Sequence, residues 1–344
     1  VFYTFTKRKM PPSLARALEA FGSASEVAYV DLRDAGVDYL AAEQLANALR
    51  SNTSVTDWNL CDNNIGRHGA VALAAAFNPV EDNSLYNCTL TTLNLHNNRI
   101  GPEGAKALAR VLKTNTSLQD LYLGNNDLGN EGAEHLAQVL QSWNRSLKTL
   151  VLVGNCIGNR GAVELAKVLH NEYSSLELFG LSNNHIGCLG AIAFAEALMV
   201  NTTLHTLYLS SNGVGESGAK ALAKTLAKNP PLTKLTLTDN RIGDVGAATL
   251  AKALVVNTSL AVLMLRDRNR IQNQGNRALR AALMQNTNLQ ALDHSTQSTK
   301  VVPGSLENGD DCEAGQAPAE FPESSDSEAQ DTGDVANLSF FTRA

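Results

Sequence analysis

Cys61 and His96 are the residues of this chain whose types could supply a thiol nucleophile and its base. A working pair also needs donors for an oxyanion and a third group to orient the base. Nothing near either residue supplies them, so the juxtaposition reads as incidental. No G-x-S-x-G elbow and no G-x-x-x-x-G-K-S/T phosphate loop occurs. The seven histidines, His68, His96, His135, His170, His185, His205 and His294, show no metal-ligand spacing with Cys or with one another. The five cysteines, Cys61, Cys88, Cys156, Cys188 and Cys312, are odd in number and form no C-x-x-C pair, which points to reduced thiols rather than a disulfide framework. The expectation is a non-enzymatic chain with no catalytic residue, metal or cofactor, located in the cytoplasm.

Composition narrows the partner. Of 344 residues, 44% are hydrophobic and only 5% aromatic, which suits many small helices packed closely. The net charge of −6 is unevenly spread: residues 301–344 hold ten Asp and Glu against Arg343, so the preceding 300 residues sum to about +3. A body so close to neutral, with no basic face, argues against nucleic acid. No apolar run approaches the ~20 residues of a membrane span, and "VFYTFTKRKM" lacks the order of a signal peptide, so no membrane partner is expected.

What organises the chain is repetition. "LTTLNLHNNRIGPEGAKALARVLKTNTSL" recurs with starts at Val27, Val55, Leu90, Leu118, Leu147, Leu176, Leu204, Leu232 and Leu260, spaced by 28, 35, 28, 29, 29, 28, 28 and 28 residues; a broken tenth unit begins at Leu289. In each unit leucines at the first, fourth and sixth positions face inward from a strand, and the residues between face the other way. An "IGxxGA" turn follows, its first glycine permitting a tight turn and its second letting the helix start close to the strand beneath it. An apolar stripe such as Ala105, Leu108, Ala109 and Leu112 then predicts a helix, ended by an Asn in the left-handed conformation. The asparagines at the ninth position, Asn63, Asn98, Asn126, Asn155, Asn184, Asn212 and Asn240, sit beside an apolar core. Each is expected to bond its own loop to the next repeat's backbone. Six N-x-S/T sequons, at Asn52, Asn87, Asn115, Asn144, Asn201 and Asn257, fall in this region, and five of them are the repeat's own helix ends.

The consensus LxxLxLxxNxIGxxGAxxLAxxLxxNTSL resembles the ribonuclease-inhibitor class of leucine-rich repeat, which also forms the receptor ends of nucleotide-binding immune receptors. The resemblance covers roughly residues 26–294. It implies an α/β horseshoe solenoid of parallel strands alternating with helices, and a role in binding proteins, as in signalling or immune-type regulation. The same repeat type serves Ran GTPase-activating proteins and axonemal structural proteins, so both stay open as alternatives. A ribonuclease inhibitor proper is disfavoured, because such inhibitors are cysteine-rich and acidic whereas this body is near +3.

Three regions depart from the pattern. Residues 1–25 read as an N-terminal cap with a helix at "SLARALEAF". The stretch "FNPVEDNSLYNCT" is about seven residues longer than the norm and reads as a bulging loop. Residues 295–344, rich in Pro, Ser, Gly and acids, read as a disordered acidic tail, within which Ser325 and "LSFF" are candidate regulatory features. The ninth unit also carries Arg266, Arg268 and Arg270 as a small basic cluster.

The strand positions between the leucines should line the concave face of the solenoid, free of the core. Candidate protein-binding residues there are Asp57, Asp120, Tyr122, Val151, Leu178, Tyr208, Lys234 and Met264. Asp31, Asp34, Asp57 and Asp62 make one end acidic, while Tyr122, Val151, Val153, Leu178, Tyr208 and Met264 form an apolar strip of the kind that makes a binding hot spot. The expected partner is a protein, met by a monomer of this chain.

Overall fold

A computed structural model of the chain describes residues 27–77, 87 and 89–293. The proposed N-terminal cap, most of the long loop and the acidic tail lie outside them.

The elements alternate strictly. The first half runs β1 (Tyr29–Asp31), α1 (Tyr39–Leu49), β2 (Asp57–Asn59), α2 (Gly66–Ala76), β3 (Thr92–Asn94), α3 (Gly101–Leu112), β4 (Asp120–Tyr122), α4 (Gly129–Ser142), β5 (Thr149–Val151) and α5 (Asn159–Leu169). The second half runs β6 (Leu178–Gly180), α6 (Cys188–Leu198), β7 (Thr206–Tyr208), α7 (Gly215–Leu226), β8 (Lys234–Thr236), α8 (Gly243–Val256), β9 (Val262–Met264), α9 (Asn273–Gln285) and β10 (Ala291–Asp293). The strands form one sheet in sequence order, every pair parallel and in the register of the repeat, as in Asp57↔Thr92 and Thr92↔Asp120. The unit beginning at Leu289 thus supplies a tenth strand, β10, paired to β9.

Each of the strands β1–β9 buries its middle residue against the helices, while Leu292 of the terminal β10 is half-buried. Val30, Trp58, Leu93, Leu121, Leu150, Phe179, Leu207, Leu235 and Leu263 belong to a single core with the inward stripes of the helices. At about 2 kcal/mol per buried leucine side chain, this layer rather than the short strand ladders dominates stability. Where repeat six substitutes Phe for Leu in both elements, Phe179 and Phe194 meet edge to face at 5.8 Å, so one departure from consensus compensates the other.

The turn glycine is less uniform than its motif. Gly101 lies at φ +66°, but Gly158 and Gly187 are extended and cap α5 and α6. In those turns the side chains of Asn130 and Asn159 accept from Gly158 N and Gly187 N at 2.9 Å.

Two asparagine ladders run through the solenoid. The ninth-position asparagines reach backward, to the preceding repeat rather than the next. Asn126 donates from Nδ2 to Leu95 O at 2.8 Å, while its Oδ1 accepts from Asn98 N at 2.9 Å and Ile100 N at 3.3 Å. The direction follows from geometry: the sixth-position carbonyl and two turn amides of the earlier repeat have no helix or strand partner, and the following repeat's amide is the group within reach. Asn269, displaced by the added residue of the ninth unit, makes the same bonds, to Leu237 O and from Asn240 N, both at 2.7 Å.

The second ladder corrects the expectation for the helix ends except at Asn229, which is left-handed at φ +54°. Asn257 is not left-handed but extended, at φ −78° and ψ 130°. Its Oδ1 accepts from Leu260 N, and its Nδ2 donates to Leu226 O of the preceding helix, both at 2.8 Å. Asn52, Asn87, Asn115, Asn144 and Asn201 likewise accept from the amide three residues on, at 2.8 to 3.0 Å. An Asx-type bond satisfies the amide of the incoming strand, which a left-handed residue could not do. All six sequon asparagines are consequently buried.

Candidate protein-binding face

The residues flanking each buried strand centre project from the side of the sheet opposite the helices, an open face. One row on it runs Asp57, Thr92, Asp120, Thr149, Leu178, Thr206, Lys234, Val262, and a second runs Asn59, Asn94, Tyr122, Val151, Gly180, Tyr208, Thr236, Met264. The structure therefore brings the candidate residues onto one surface, with Asp57 and Asp120 two strands apart across Thr92.

Residues of these rows are more constrained than a free surface. Asn59 is buried, donates to Asp31 Oδ1 at 3.0 Å and accepts from Cys61 N at 3.1 Å; Asn94 accepts from His96 N at 3.0 Å. Val151 and Val153, expected to face water, are only 3% and 6% exposed. The cause lies one strand away: Gly180 has no side chain, and the Val151 methyls stand 3.2 and 3.3 Å from where its Cβ would be, occupying that space. Val151 is thus the low floor of the strip, with Tyr122 and Tyr208 as its half-buried rims.

The charged groups divide the face. Burial raises the Tyr122 phenol above its usual range, and the Asp120 and Asp57 carboxylates raise it further, so Tyr122 stays protonated beside two anions. At the other end Lys234 Nζ lies 5.0 Å from the centroid of the Tyr208 ring, a cation over an aromatic face. Beside that ring, Ser210 Oγ and Thr236 Oγ1 are buried with no hydrogen-bond partner among the described residues. The Arg266, Arg268 and Arg270 cluster is partly neutralised: Arg266 pairs with Asp293 at 2.7 Å, and Arg268 lies 3.7 Å from Asp239.

Cys61 is not a poised nucleophile. Burial and the neighbouring Asp62 push its thiol up to about 12, and the thiol donates to Asp62 Oδ2 at 3.0 Å. Burial depresses the pKa of His96, and Arg33 adds to the effect against the pull of Asp62. Its ring lies where a Cβ on Gly124 would come within 2.3 Å of Nδ1, so Gly124 makes the room. An imidazole with a folded pKa below its unfolded value of about 6.5 takes up a proton on unfolding, so stability falls as pH drops from that value through the folded one. Urea midpoints measured from neutrality down to about pH 5 should show this loss, and His96→Asn should flatten it. An unchanged slope in the variant would assign the pH dependence to other groups. Among the described residues no cluster of His, Cys, Asp and Glu has metal-binding geometry, and no described helix is long and apolar enough to cross a membrane.

A family described as "Leucine Rich repeat" matches residues 51–74, 86–109, 114–137, 144–166, 200–223 and 228–251. No curated protein matches the chain. Among solved structures it is similar to leiomodin-1 actin-binding site 2, with 17% identity over 63% of this chain and 87% of that one and a TM-score of 0.27. It is also similar to internalin C2 of Listeria monocytogenes, with 19% identity over 74% of this chain and 93% of that one and a TM-score of 0.44. At these scores the likeness extends to neither function nor partner. Ten parallel strands in register, the repeated asparagine bonds and the six matched segments identify the described residues as a leucine-rich-repeat solenoid.

Proposed function

We propose that this chain is a protein-interaction module that captures its partner on the open sheet face, with Asp57 and Asp120 at one end, Tyr122, Leu178 and Tyr208 in the middle over the Val151 floor, and Lys234 and Met264 at the other. The observation that carries the reading is the aromatic strip itself. Two tyrosines and a leucine stand half-buried on β4, β6 and β7 of one sheet, with Val151 on β5 between Tyr122 and Leu178. Repeats of 28 and 29 residues with a helix in every unit support the ribonuclease-inhibitor-like subtype.

The test compares partner capture from cell extract by the wild-type chain and by a Tyr122→Glu, Leu178→Glu, Tyr208→Glu triple variant whose circular dichroism is native. The expected outcome is loss of the specific partner in the variant, because three carboxylates would be desolvated in the contact. A partner retained by the folded variant would remove the open face from consideration.

A further inference from the structure

The residue before each helix-end asparagine forms a column along the solenoid edge where the helices stop. Early in the chain this residue is polar, Ser51 and Thr114; Trp143 and Val200 fill it later, and in the repeat between them, where it is Glu172, Tyr173 follows in the asparagine's own place, three residues before Leu176. The side chains of Trp143, Tyr173 and Val200 are 59%, 61% and 60% exposed, and Met199, next to Val200 in the chain, is 41% exposed. Bonds from Asn144 to Leu112 O, Asn171 to Gln141 O and Asn201 to Leu169 O hold the successive helix ends in line. One exposed aromatic is ordinary, but large exposed apolar side chains at the helix ends of three consecutive repeats gather on one edge of the solenoid.

Cations accompany the rings. Lys113 Nζ lies 4.5 Å from the Trp143 centroid and the Arg145 guanidinium 5.2 Å from that of Tyr173, and both cations are exposed. Glu172 adjoins Tyr173, and the nearby Glu177 is 3.7 Å from Lys148. Amphipathic rings flanked by Lys and Arg match the level at which lipid headgroups meet acyl chains. The exposed cations complement negative headgroups.

We propose that this edge is a peripheral docking surface for an anionic lipid bilayer. Trp143, Tyr173, Met199 and Val200 enter the headgroup region, and Lys113 and Arg145 meet the lipid phosphates and carboxylates. The sequence expectation of no membrane partner rested on the lack of a spanning segment, and a peripheral edge does not require one. The proposal is independent of the open-face reading.

In the test, the full chain is mixed with vesicles of equal parts phosphatidylserine and phosphatidylcholine, and with vesicles of phosphatidylcholine alone. Flotation and tryptophan emission are read together. Of the two tryptophans Trp58 is fully buried, so a blue shift reports Trp143. The mixed vesicles should float the protein and shift its emission, high salt should reverse both, and phosphatidylcholine alone should do neither. The double variants W143D/Y173D and K113E/R145E should each weaken flotation by at least about tenfold, whereas the open-face triple variant should float like wild type. Absence of flotation on the mixed vesicles, equal flotation on both kinds, or wild-type flotation of both edge variants would overturn the proposal; the first of these is also the outcome if the edge binds a protein instead.

Discussion

Asn155→Ala should lower the free energy of unfolding by about 3 kcal/mol or more, read as a fall in the urea midpoint. Asn155 is fully buried. Its Nδ2 donates to Leu123 O at 2.8 Å and Val153 O at 3.3 Å, and its Oδ1 accepts from Asn126 N at 3.0 Å and Leu128 N at 3.3 Å. Truncation strands amides and carbonyls of two repeats away from water, each at a cost of about 1–3 kcal/mol. Because a solenoid's stability is the sum of its units and their interfaces, the defect falls on the interface between the fourth and fifth repeats. Thr202→Ala, at an exposed helix-end position, is the control and should change stability by less than about 0.5 kcal/mol. A loss below about 1 kcal/mol in Asn155→Ala would mean that the ladder accompanies the fold without stabilising it.

Gly104→Ala should also destabilise, by about 2–3 kcal/mol, and here the sign is the informative part. Glycine inside a helix ordinarily gains about 1 kcal/mol on replacement by alanine. In α3 the added Cβ would stand 2.2 Å from Ile100 Cγ2 and 3.0 Å from Ala70 Cβ of the neighbouring helix. The Ile100 methyl is fixed on a β-branched carbon in a filled core, so the helices would have to part. Gly101→Ala isolates the other glycine role, since its Cβ would meet nothing within 4 Å but φ is +66°. Its cost should be limited to the roughly 1–2 kcal/mol of a left-handed L-residue. Thermal or urea unfolding of both variants checks the order. A Gly104→Ala protein more stable than wild type would show that the helix spacing is not set by that contact.

The expectation that the second glycine brings the helix close to its strand was therefore right about proximity and wrong about the neighbour. The close approach is to the preceding repeat's alanine and to the glycine's own turn isoleucine. The asparagines tell the same story. Their recurrence beside a core made buried hydrogen bonding legible, because an orphaned amide is costly. Nothing in a linear repeat distinguishes a bond to the unit before from a bond to the unit after. At the helix ends, Asn is both a left-handed residue and an Asx-turn former, and the serine and leucine after it favour the second through their amides.

On the candidate face, the membership of Tyr122, Leu178 and Tyr208 in one surface follows from period alone, whereas the submergence of Val151 depends on Gly180 one repeat later. Of the exposed apolar residues at the helix ends, Trp143 and Val200 stand directly before a helix-end asparagine, whereas Tyr173 replaces that asparagine in its repeat. They go unnoticed as a group there because the residues differ in type, and their shared edge emerges only when the helix ends are aligned in space.

Sequence by itself determined the repeat length, the inward leucines, the strand-helix alternation and hence the solenoid, because periodicity and apolar spacing act within one unit and a unit cannot bury its leucines alone. Tertiary structure decided which face residues stay accessible, which way each asparagine reaches and which arginines are neutralised. Those outcomes belong to side chains that are neighbours across strands and about 28 residues apart in the chain.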